Sequence, residues 1–226
     1  MTRDYWQVSG LVLNLFCLSV GIVVFVVVIL FRLLLALELP RIIKWDEADY
    51  VLLARNLLAG QGFTTGNQTE LHFAPLYPAI VGAFYFVFRD LERASDFAYA
   101  LFGGLMLWPV FLLARKTYGE RTAWLSVMFL AVFPSLTVQV LYWGTMTEPL
   151  YLCLLYSGAA AVLSGLEGHH TKWLTIGGMF FGLAYLARPE AIGHFLTLLL
   201  VVLAWFLLRP VDATPRENNR VSSNEI

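Results

Sequence analysis

Three short polar segments in an otherwise apolar chain carry the residue types that could do chemistry. They are Trp45-Asp46-Glu47, Thr147-Glu148-Pro149 and Arg188-Pro189-Glu190. A carboxylate can act as a general base, which typically contributes about 10²–10⁴-fold to a rate. The planar guanidinium of an arginine suits a phosphate that must be held or must leave. The segments therefore predict transfer from a lipid-linked phosphate donor, with Asp46 and Glu47 as catalytic candidates and Glu148 and Arg188 as substrate-binding candidates.

Each segment also has a purely structural interpretation. Asp46, with Asp49 three residues later, resembles a helix cap. Thr147 could cap a helix that starts with Glu148, next to a helix-compatible proline. Arg188, which precedes a proline, could mark the end of a span and reach the lipid headgroups. Convergence of three charged features on one face favours a functional cleft over these alternatives.

Histidine and metal chemistry are indicated less directly. His72 is expected on the same aqueous side, as a substrate-binding candidate that could contact a phosphate or as an interfacial residue. His194 lies inside the last apolar stretch, where a hydrogen bond is expected. No HExxH spacing occurs, which disfavours a zinc hydrolase. Asp46 and Glu148 offer oxygen ligands to a divalent cation such as Mg²⁺ or Mn²⁺, and no cofactor is implied with certainty.

The composition requires a membrane around these residues. Of 226 residues, 59% are hydrophobic and only 14% are charged, with a mean hydropathy of +0.70. Soluble domains have about 45–50% apolar and about 25% charged residues. Lys and Arg total 15 against 16 Asp and Glu, so no basic surplus indicates nucleic-acid binding. Cys17 and Cys153 both lie in apolar runs and indicate neither a disulfide framework nor a metal site.

Uncharged stretches predict an all-α polytopic membrane protein. Six spans of roughly 17–25 residues are predicted at residues 8–31, 95–114, 122–143, 149–166, 173–187 and 191–208. The positive-inside rule places the basic clusters at 115–121 and 169–172 in the cytoplasm, with both termini. The three polar segments then meet on the outer face, whereas a seventh crossing at 71–88 would scatter them. Residues 1–208 form one membrane module, and the polar segment 209–226 is predicted to be a disordered cytoplasmic tail.

The first outer loop, residues 38–94, contains two predicted interfacial helices. One runs from Asp46 to Ala59, with Gly60 as its C-terminal stop. The other runs from about Pro75 to Phe88. Between them, residues 61–67 are a polar, glycine-containing turn region whose flexibility would suit a gating loop.

These motifs resemble those of the GT-C glycosyltransferases, in the branch of the protein O-mannosyltransferases and the aminoarabinose transferases of lipid A. The resemblance covers about residues 10–208. It rests on Trp45-Asp-Glu-Ala-Asp-Tyr50, Ala54-Arg-Asn-Leu-Leu-Ala-Gly60, His72-Phe-Ala-Pro-Leu-Tyr-Pro78, Thr147-Glu-Pro-Leu150 and Ala187-Arg-Pro-Glu-Ala191, in that order.

The resemblance implies an inverting enzyme that takes a sugar from a polyprenyl-phosphate donor on the extracytoplasmic face. It assigns the catalytic base to Asp46, the second acidic position to Glu148 and the cation near the lipid phosphate to Arg188. Tyr50 and His72 lie in the matching motifs and are further substrate-binding candidates. The acceptor would be a hydroxyl of a lipid, a glycan or a protein. The implied loop with two interfacial helices agrees with the topology predicted from charge.

Two other functional classes are alternatives. A non-catalytic subunit could hold a polyprenyl phosphate or support assembly with a larger partner subunit, because members of the resembled family are usually much longer. A transporter would place polar residues near span centres, and apart from His194 the spans offer few. We therefore expect a glycosyltransferase that is surrounded by membrane lipids in the plasma (inner) membrane and has no nucleic-acid partner.

Overall fold

The computed structural model describes residues 21–35, 46–66, 68–133, 145–168 and 170–208. Most of the described chain is helical. The helices are α1 Gly21–Leu35, α2 Asp46–Leu58, α3 Leu76–Phe88, α4 Leu91–Leu105, α5 Leu107–Tyr118, α6 Glu120–Val132, α7 Glu148–Gly168, α8 Thr171–Ala187 and α9 Ala191–Leu208. A short antiparallel hairpin of β1 (Thr64–Thr65) and β2 (Gln68–Thr69) lies between α2 and α3.

Three stretches of the described chain are long and apolar enough to cross a membrane. They are Leu91–Tyr118, Glu148–Gly168 and Ala191–Leu208. These stretches contain the predicted spans 95–114, 149–166 and 191–208, and the protein is therefore an integral membrane protein of the helical class. Leu91–Tyr118 consists of α4 and α5 joined end to end, with a local break at Met106 just before Pro109. A proline near this position removes a backbone donor and typically bends a helix.

The other predicted spans are covered only in part. Within the described residues, α6 ends at Val132 and α8 contains 17 residues. Three predictions fall wholly or partly outside the described residues, namely residues 8–20 of the first span, residues 134–143 of the third span and the tail 209–226.

Both helices predicted for the outer loop are present. α2 begins at Asp46 with three acidic residues in its first turn, which suits the positive end of the helix dipole. It ends in a Schellman motif, because the amide of Gly60, whose φ is 72°, donates to Leu57 O. The amide of Gln61 donates to Asn56 O over 2.9 Å. α3 has 13 residues and is about 20 Å long, shorter than the about 30 Å hydrocarbon core.

The linker between these helices, predicted as a polar turn region at residues 61–67, contains a short antiparallel hairpin. Two-residue strands pair Thr64 with Thr69 across the hairpin. Glu70 Oε2 accepts a hydrogen bond from Thr65 Oγ1 over 2.6 Å, and Glu70 Oε1 accepts from the amides of His72 and Phe73. The pKa of Glu70 lies below its ordinary value because the hydrogen bond from Thr65, together with those from the amides, favours the charged carboxylate. One carboxylate thus holds the segment that carries His72.

The largest cluster of buried apolar residues joins α2, α3, α4, α7 and α8. Its fully or nearly fully buried members include Ala54, Tyr77, Val81, Ala98, Leu150 and Phe181. α7 and α8 form an antiparallel pair that approaches closely at Gly158 and Gly177. A Cβ added to Gly177 would lie 2.6 Å from a methyl carbon of Val162 and 3.2 Å from Gly158 O. Small residues permit such close helix contacts in membranes.

Polar contacts tie the helices together at both ends. Lys116 Nζ of α5 lies 2.5 Å from Glu167 Oε2 of α7, so the two predicted basic loops are at the same end of the bundle. The buried Arg32 of α1 donates from Nη2 to Leu130 O, near the end of α6, over 3.1 Å. A cation beside the last carbonyls of a helix satisfies them and complements the helix dipole.

Candidate functional site

A cavity of about 310 Å³ lies where the start of α2 faces the link between α8 and α9. Its lining residues are Asp46, Tyr50, His72, Phe73, Ala74, Ala187, Arg188, Pro189 and Glu190. The volume is at the small end of the range of about 300–1,000 Å³ for small-molecule sites. Because carboxylates, an imidazole and a guanidinium share its walls, the cavity suits a small charged headgroup.

Four of the six residues predicted for the site line this cavity: Asp46, Tyr50, His72 and Arg188. Asp46 is exposed at the first position of α2, and His72 is exposed in the turn that Glu70 holds. A seventh crossing at residues 71–88 would have put Asp46 and Arg188 on opposite faces of the membrane. Their presence in one cavity is the arrangement expected when residues 71–88 do not cross.

Arg188 lies at the C-terminal end of α8, where its amide donates to Ala184 O over 2.8 Å. Its Nη1 lies 2.6 Å from Glu148 Oε1, and its Nε lies 3.7 Å from Glu190 Oε2. Desolvation lowers the pKa of Arg188, but the negative charges of Glu148 and Glu190 outweigh it and raise this pKa overall. A guanidinium has five N–H donors, and the hydrogen bond to Glu148 uses one of them. The group is therefore a permanent cation with donors left for a ligand.

Glu148 contributes to the site through Arg188. It is the first residue of α7, and its Oε1 carries the ion pair. Its Oε2 is buried and accepts no hydrogen bond from the residues that the structure describes. A buried carboxylate oxygen without a donor is costly, and the ion pair that Oε1 makes with Arg188 offsets part of this cost.

Glu47 occupies an environment very different from that of its neighbour Asp46. Its side chain is fully buried, it does not line the cavity, and its Oε1 accepts a hydrogen bond from Thr145 Oγ1 over 2.6 Å. Successive residues of a helix point about 100° apart, so Asp46 faces the cavity while Glu47 enters the core behind it. The predicted second catalytic residue therefore lies behind the cavity wall.

Tyr50 forms the inner wall of the cavity. Its ring packs edge to face against Phe73 and Tyr77, with centroid separations of 5.0 and 5.3 Å. Burial raises the pKa of the Tyr50 hydroxyl above its ordinary value, although its hydrogen bond with Thr147 acts in the opposite direction. The hydroxyl is therefore protonated at neutral pH. Thr147, a possible helix cap from the sequence, directly precedes α7, and its buried side chain is hydrogen bonded to Tyr50.

The structure adds residues that the sequence analysis did not select. Glu190 was noted in the Arg188 segment but not assigned to the site, and it lines the cavity. Thr145 and Ser95 carried no signal, because isolated hydroxyl residues in apolar stretches resemble any others. The hydrogen bond expected for His194 is present, with Nδ1 2.9 Å from the Tyr151 hydroxyl. The part of the chain that the structure describes contains no group of three or more His, Cys, Asp or Glu residues placed to hold a metal ion.

Comparison with known protein families gives a match over a large part of the chain. The sequence profile of the dolichyl-phosphate-mannose-protein mannosyltransferase family matches residues 72–214. This segment includes His72, Glu148 and Arg188, whereas Asp46, Glu47 and Tyr50 precede it. Comparison with curated proteins and with solved structures gives no significant match. Because the matched segment is well over half of the 226 residues, the chain belongs to the dolichyl-phosphate-mannose-protein mannosyltransferase family, whose members are membrane glycosyltransferases of the GT-C type.

Proposed function

We propose that this protein transfers a sugar from a polyprenyl-phosphate donor to an acceptor hydroxyl, with inversion at the sugar carbon. The observation that carries the proposal is the cavity shared by an exposed carboxylate, Asp46, and a permanent cation, Arg188. Such a pair can deprotonate a nucleophile on one side and stabilise an anionic leaving group on the other. Hexosyl and pentosyl donors are both compatible with this chemistry.

In the proposed reaction, the acceptor oxygen forms a bond to the anomeric carbon as the bond from that carbon to the phosphate oxygen breaks. The acceptor proton moves to a carboxylate oxygen of Asp46. The electron pair of the broken bond leaves with the polyprenyl phosphate, whose charge Arg188 stabilises. A phosphate leaves without a general acid because its pKa is low. Attack opposite the leaving group inverts the configuration.

His72 is proposed to bind substrate directly, and Glu148 is proposed to act on the substrate through Arg188. The ion pair with Glu148 fixes the orientation of the Arg188 guanidinium, which lines the cavity. His72 also lines the cavity, from the outer-loop turn, and is proposed to contact a phosphate or sugar oxygen of the substrate. Glu47 is proposed to act on the position of Asp46 from within the core.

The proposed topology has six spans, with the cavity on the extracytoplasmic side of the plasma membrane. Support comes from the short α3, from the cavity that joins Asp46 to Arg188, and from the Lys116–Glu167 contact at the opposite end. Single cysteines replacing Gln61 and Glu167, in a background without Cys17 and Cys153, test it. A membrane-impermeant maleimide should label position 61 from outside intact cells and position 167 only after permeabilisation. Equal labelling of both from one side would refute the topology.

Replacement of the proposed base tests the reaction. Asp46→Asn should lower sugar transfer by about 10²–10⁴-fold, the usual contribution of a general base. Asp49→Asn is the matched control, because Asp49 lies on the same helix outside the cavity lining and should retain activity within about threefold. The assay uses protein in liposomes, synthetic polyprenyl-phosphate mannose and a panel of hydroxyl acceptors that includes a serine peptide and a lipid glycan. An Asp46→Asn protein as active as wild type would refute the assignment of the base.

Native mass spectrometry separates an enzyme from a lipid-binding subunit. Wild-type protein purified in mild detergent should carry a glycosylated polyprenyl phosphate, and the adduct should be lost in Arg188→Ala. Bound donor that is never consumed by wild-type protein with any acceptor would instead support the non-catalytic alternative. Absence of bound polyprenyl phosphate from both proteins would count against the donor class.

A further inference from the structure

A chain of buried hydroxyl groups leads from the core to the first turn of α2. Tyr77 of α3, Ser95 of α4 and Thr145, which precedes α7, are all fully buried. The Tyr77 hydroxyl lies 3.2 Å from Ser95 Oγ, and Ser95 Oγ contacts Thr145 Oγ1. Thr145 Oγ1 donates to Glu47 Oε1 over 2.6 Å. This hydrogen-bond chain therefore connects α3, α4 and the segment before α7 to Glu47, the residue that follows Asp46.

The number of hydroxyl protons determines the direction of donation along this hydrogen-bond chain. Each hydroxyl has a single proton to donate. Since Thr145 gives its proton to Glu47, the contact with Ser95 requires Ser95 to donate to Thr145. The Tyr77 hydroxyl in turn donates to Ser95, whose Oγ is 3.2 Å and whose carbonyl oxygen is 3.4 Å away. Three hydroxyls thus point the same way and end on a carboxyl oxygen, an arrangement in which each bond polarises the next.

The segment from Thr145 to Glu148 contacts both sides of the cavity. Thr145 holds Glu47, Thr147 holds the Tyr50 hydroxyl, and Glu148 holds Arg188. The same four residues therefore contact both the Asp46 side of the cavity, which holds the proposed base, and the Arg188 side, which is proposed to bind the phosphate. A shift of this segment changes the separation of Asp46 and Arg188.

We infer that Thr145 and Ser95 are positioning residues for the transfer reaction, because they fix the first turn of α2 through Glu47 and so hold Asp46 at a set distance from Arg188. This inference rests on the proposed function. Neither residue lines the cavity, and they act on Asp46 only through the hydrogen-bond chain.

The test compares Thr145→Val, Thr145→Ser and a control. Valine keeps the shape of threonine and removes the hydroxyl, whereas serine keeps the hydroxyl. Thr145→Val should lower kcat by about 10–100-fold, because small misplacements of reacting groups carry costs of that size. KM for the polyprenyl-phosphate mannose donor should stay within about threefold, and Thr145→Ser should restore kcat to within about threefold of wild type. Thr117→Val removes an exposed hydroxyl that donates to Leu113 O in its own helix, and it should leave both constants unchanged.

Substitutions at successive positions of the hydrogen-bond chain should have graded effects on kcat. Thr145→Val removes the bond that reaches Glu47, Ser95→Ala removes the bond behind it, and Tyr77→Phe removes only the first donor. The loss of kcat should therefore fall in that order. Ser95→Ala also serves as the main variant if Thr145→Val does not yield folded protein. Equal kcat for Thr145→Val and wild type, or equal losses for the valine and serine variants, would overturn the inference while the proposed function stands.

Hydrogen exchange provides a measurement that does not depend on turnover. In Thr145→Val the backbone amides in the first two turns of α2 should exchange faster than in wild type, and those of α8 should not change. If wild-type protein transfers no sugar to any acceptor, the proposed function fails, and the exchange data decide only whether Thr145 fixes the first turn of α2. Unchanged exchange in α2 would then refute this role of Thr145.

Discussion

Replacing both members of the Arg188–Glu148 pair measures how strongly the two charges interact. Hydrogen bonds to charged groups contribute about 1.5–3 kcal/mol, whereas exposed ion pairs contribute about 0.2–1 kcal/mol. The two side chains are 32% and 30% exposed, and their closest atoms are 2.6 Å apart. A coupling free energy of about 1–2 kcal/mol is therefore expected between these limits.

The double-mutant cycle uses Arg188→Gln, Glu148→Gln and the combined variant, with thermal unfolding in detergent as the assay. A coupling of about 1.5 kcal/mol corresponds to about 3–6 °C in Tm for a chain of this size. Glu148 Oε2 is buried, so Arg188→Gln alone leaves a carboxylate without its cation. The double variant should therefore be more stable than Arg188→Gln.

The Lys116–Glu167 pair is the matched control for this cycle. Its glutamate is 51% exposed, so the same substitutions there should couple by less than about 1 kcal/mol. A coupling below about 0.5 kcal/mol at Arg188–Glu148, or a double variant less stable than Arg188→Gln, would refute the reasoning. Either result would mean that solvent screens the pair as it screens an ordinary surface contact.

Three further predictions concern packing, pH and metal dependence. Gly177→Ala should destabilise the protein by about 1–3 kcal/mol through overpacking against α7, whereas Gly178→Ala, which meets no atom within 4 Å, should not; thermal unfolding checks both. Because the folded-state pKa of Glu70 is depressed, its contribution to loop order is present above its ordinary value of 4.5 and is lost as pH falls through the lower folded value. Hydrogen exchange at the His72 amide should therefore accelerate, after correction for intrinsic rates, in acid or in Glu70→Gln at neutral pH. Since Arg188 already neutralises Glu148, transfer activity should survive exhaustive EDTA treatment, and loss that Mg²⁺ or Mn²⁺ reverses would contradict this.

Elements with strong local signals were predicted closely. The helix predicted from Asp46 to Ala59 ends at Leu58, because Gly60 provides the positive φ that the Schellman motif requires. The predicted span at 95–114 is longer in the structure, since Asp90 accepts hydrogen bonds from the amides of Glu92 and Arg93 and starts α4 earlier. Asp46 and Arg188 were placed together from charge distribution, and the shared cavity agrees with that placement.

Features that depend on tertiary contacts were not predictable in the same way. The hairpin at residues 64–69 has strands of two residues, too short to show an alternating pattern. Asp46 and Glu47 are adjacent acids with the same chemistry, and only the packing of α2 decides which one is buried. Thr145 forms hydrogen bonds with residues at positions 47 and 95, which no local sequence pattern connects to it.

The pairing of α7 with α8 has a consequence for how the site is assembled during synthesis. These helices form an antiparallel hairpin with a short connection, and Glu148 and Arg188 meet at its open end. The cationic half of the cavity is therefore built from contacts that are local in the chain, which form without a large loop-closure cost. The acidic half comes from α2 and reaches the hairpin through the segment that begins at Thr145. The two halves of the cavity therefore differ in how they form: the cationic half needs only the α7–α8 hairpin, whereas the acidic half also needs α2 to pack on the common core.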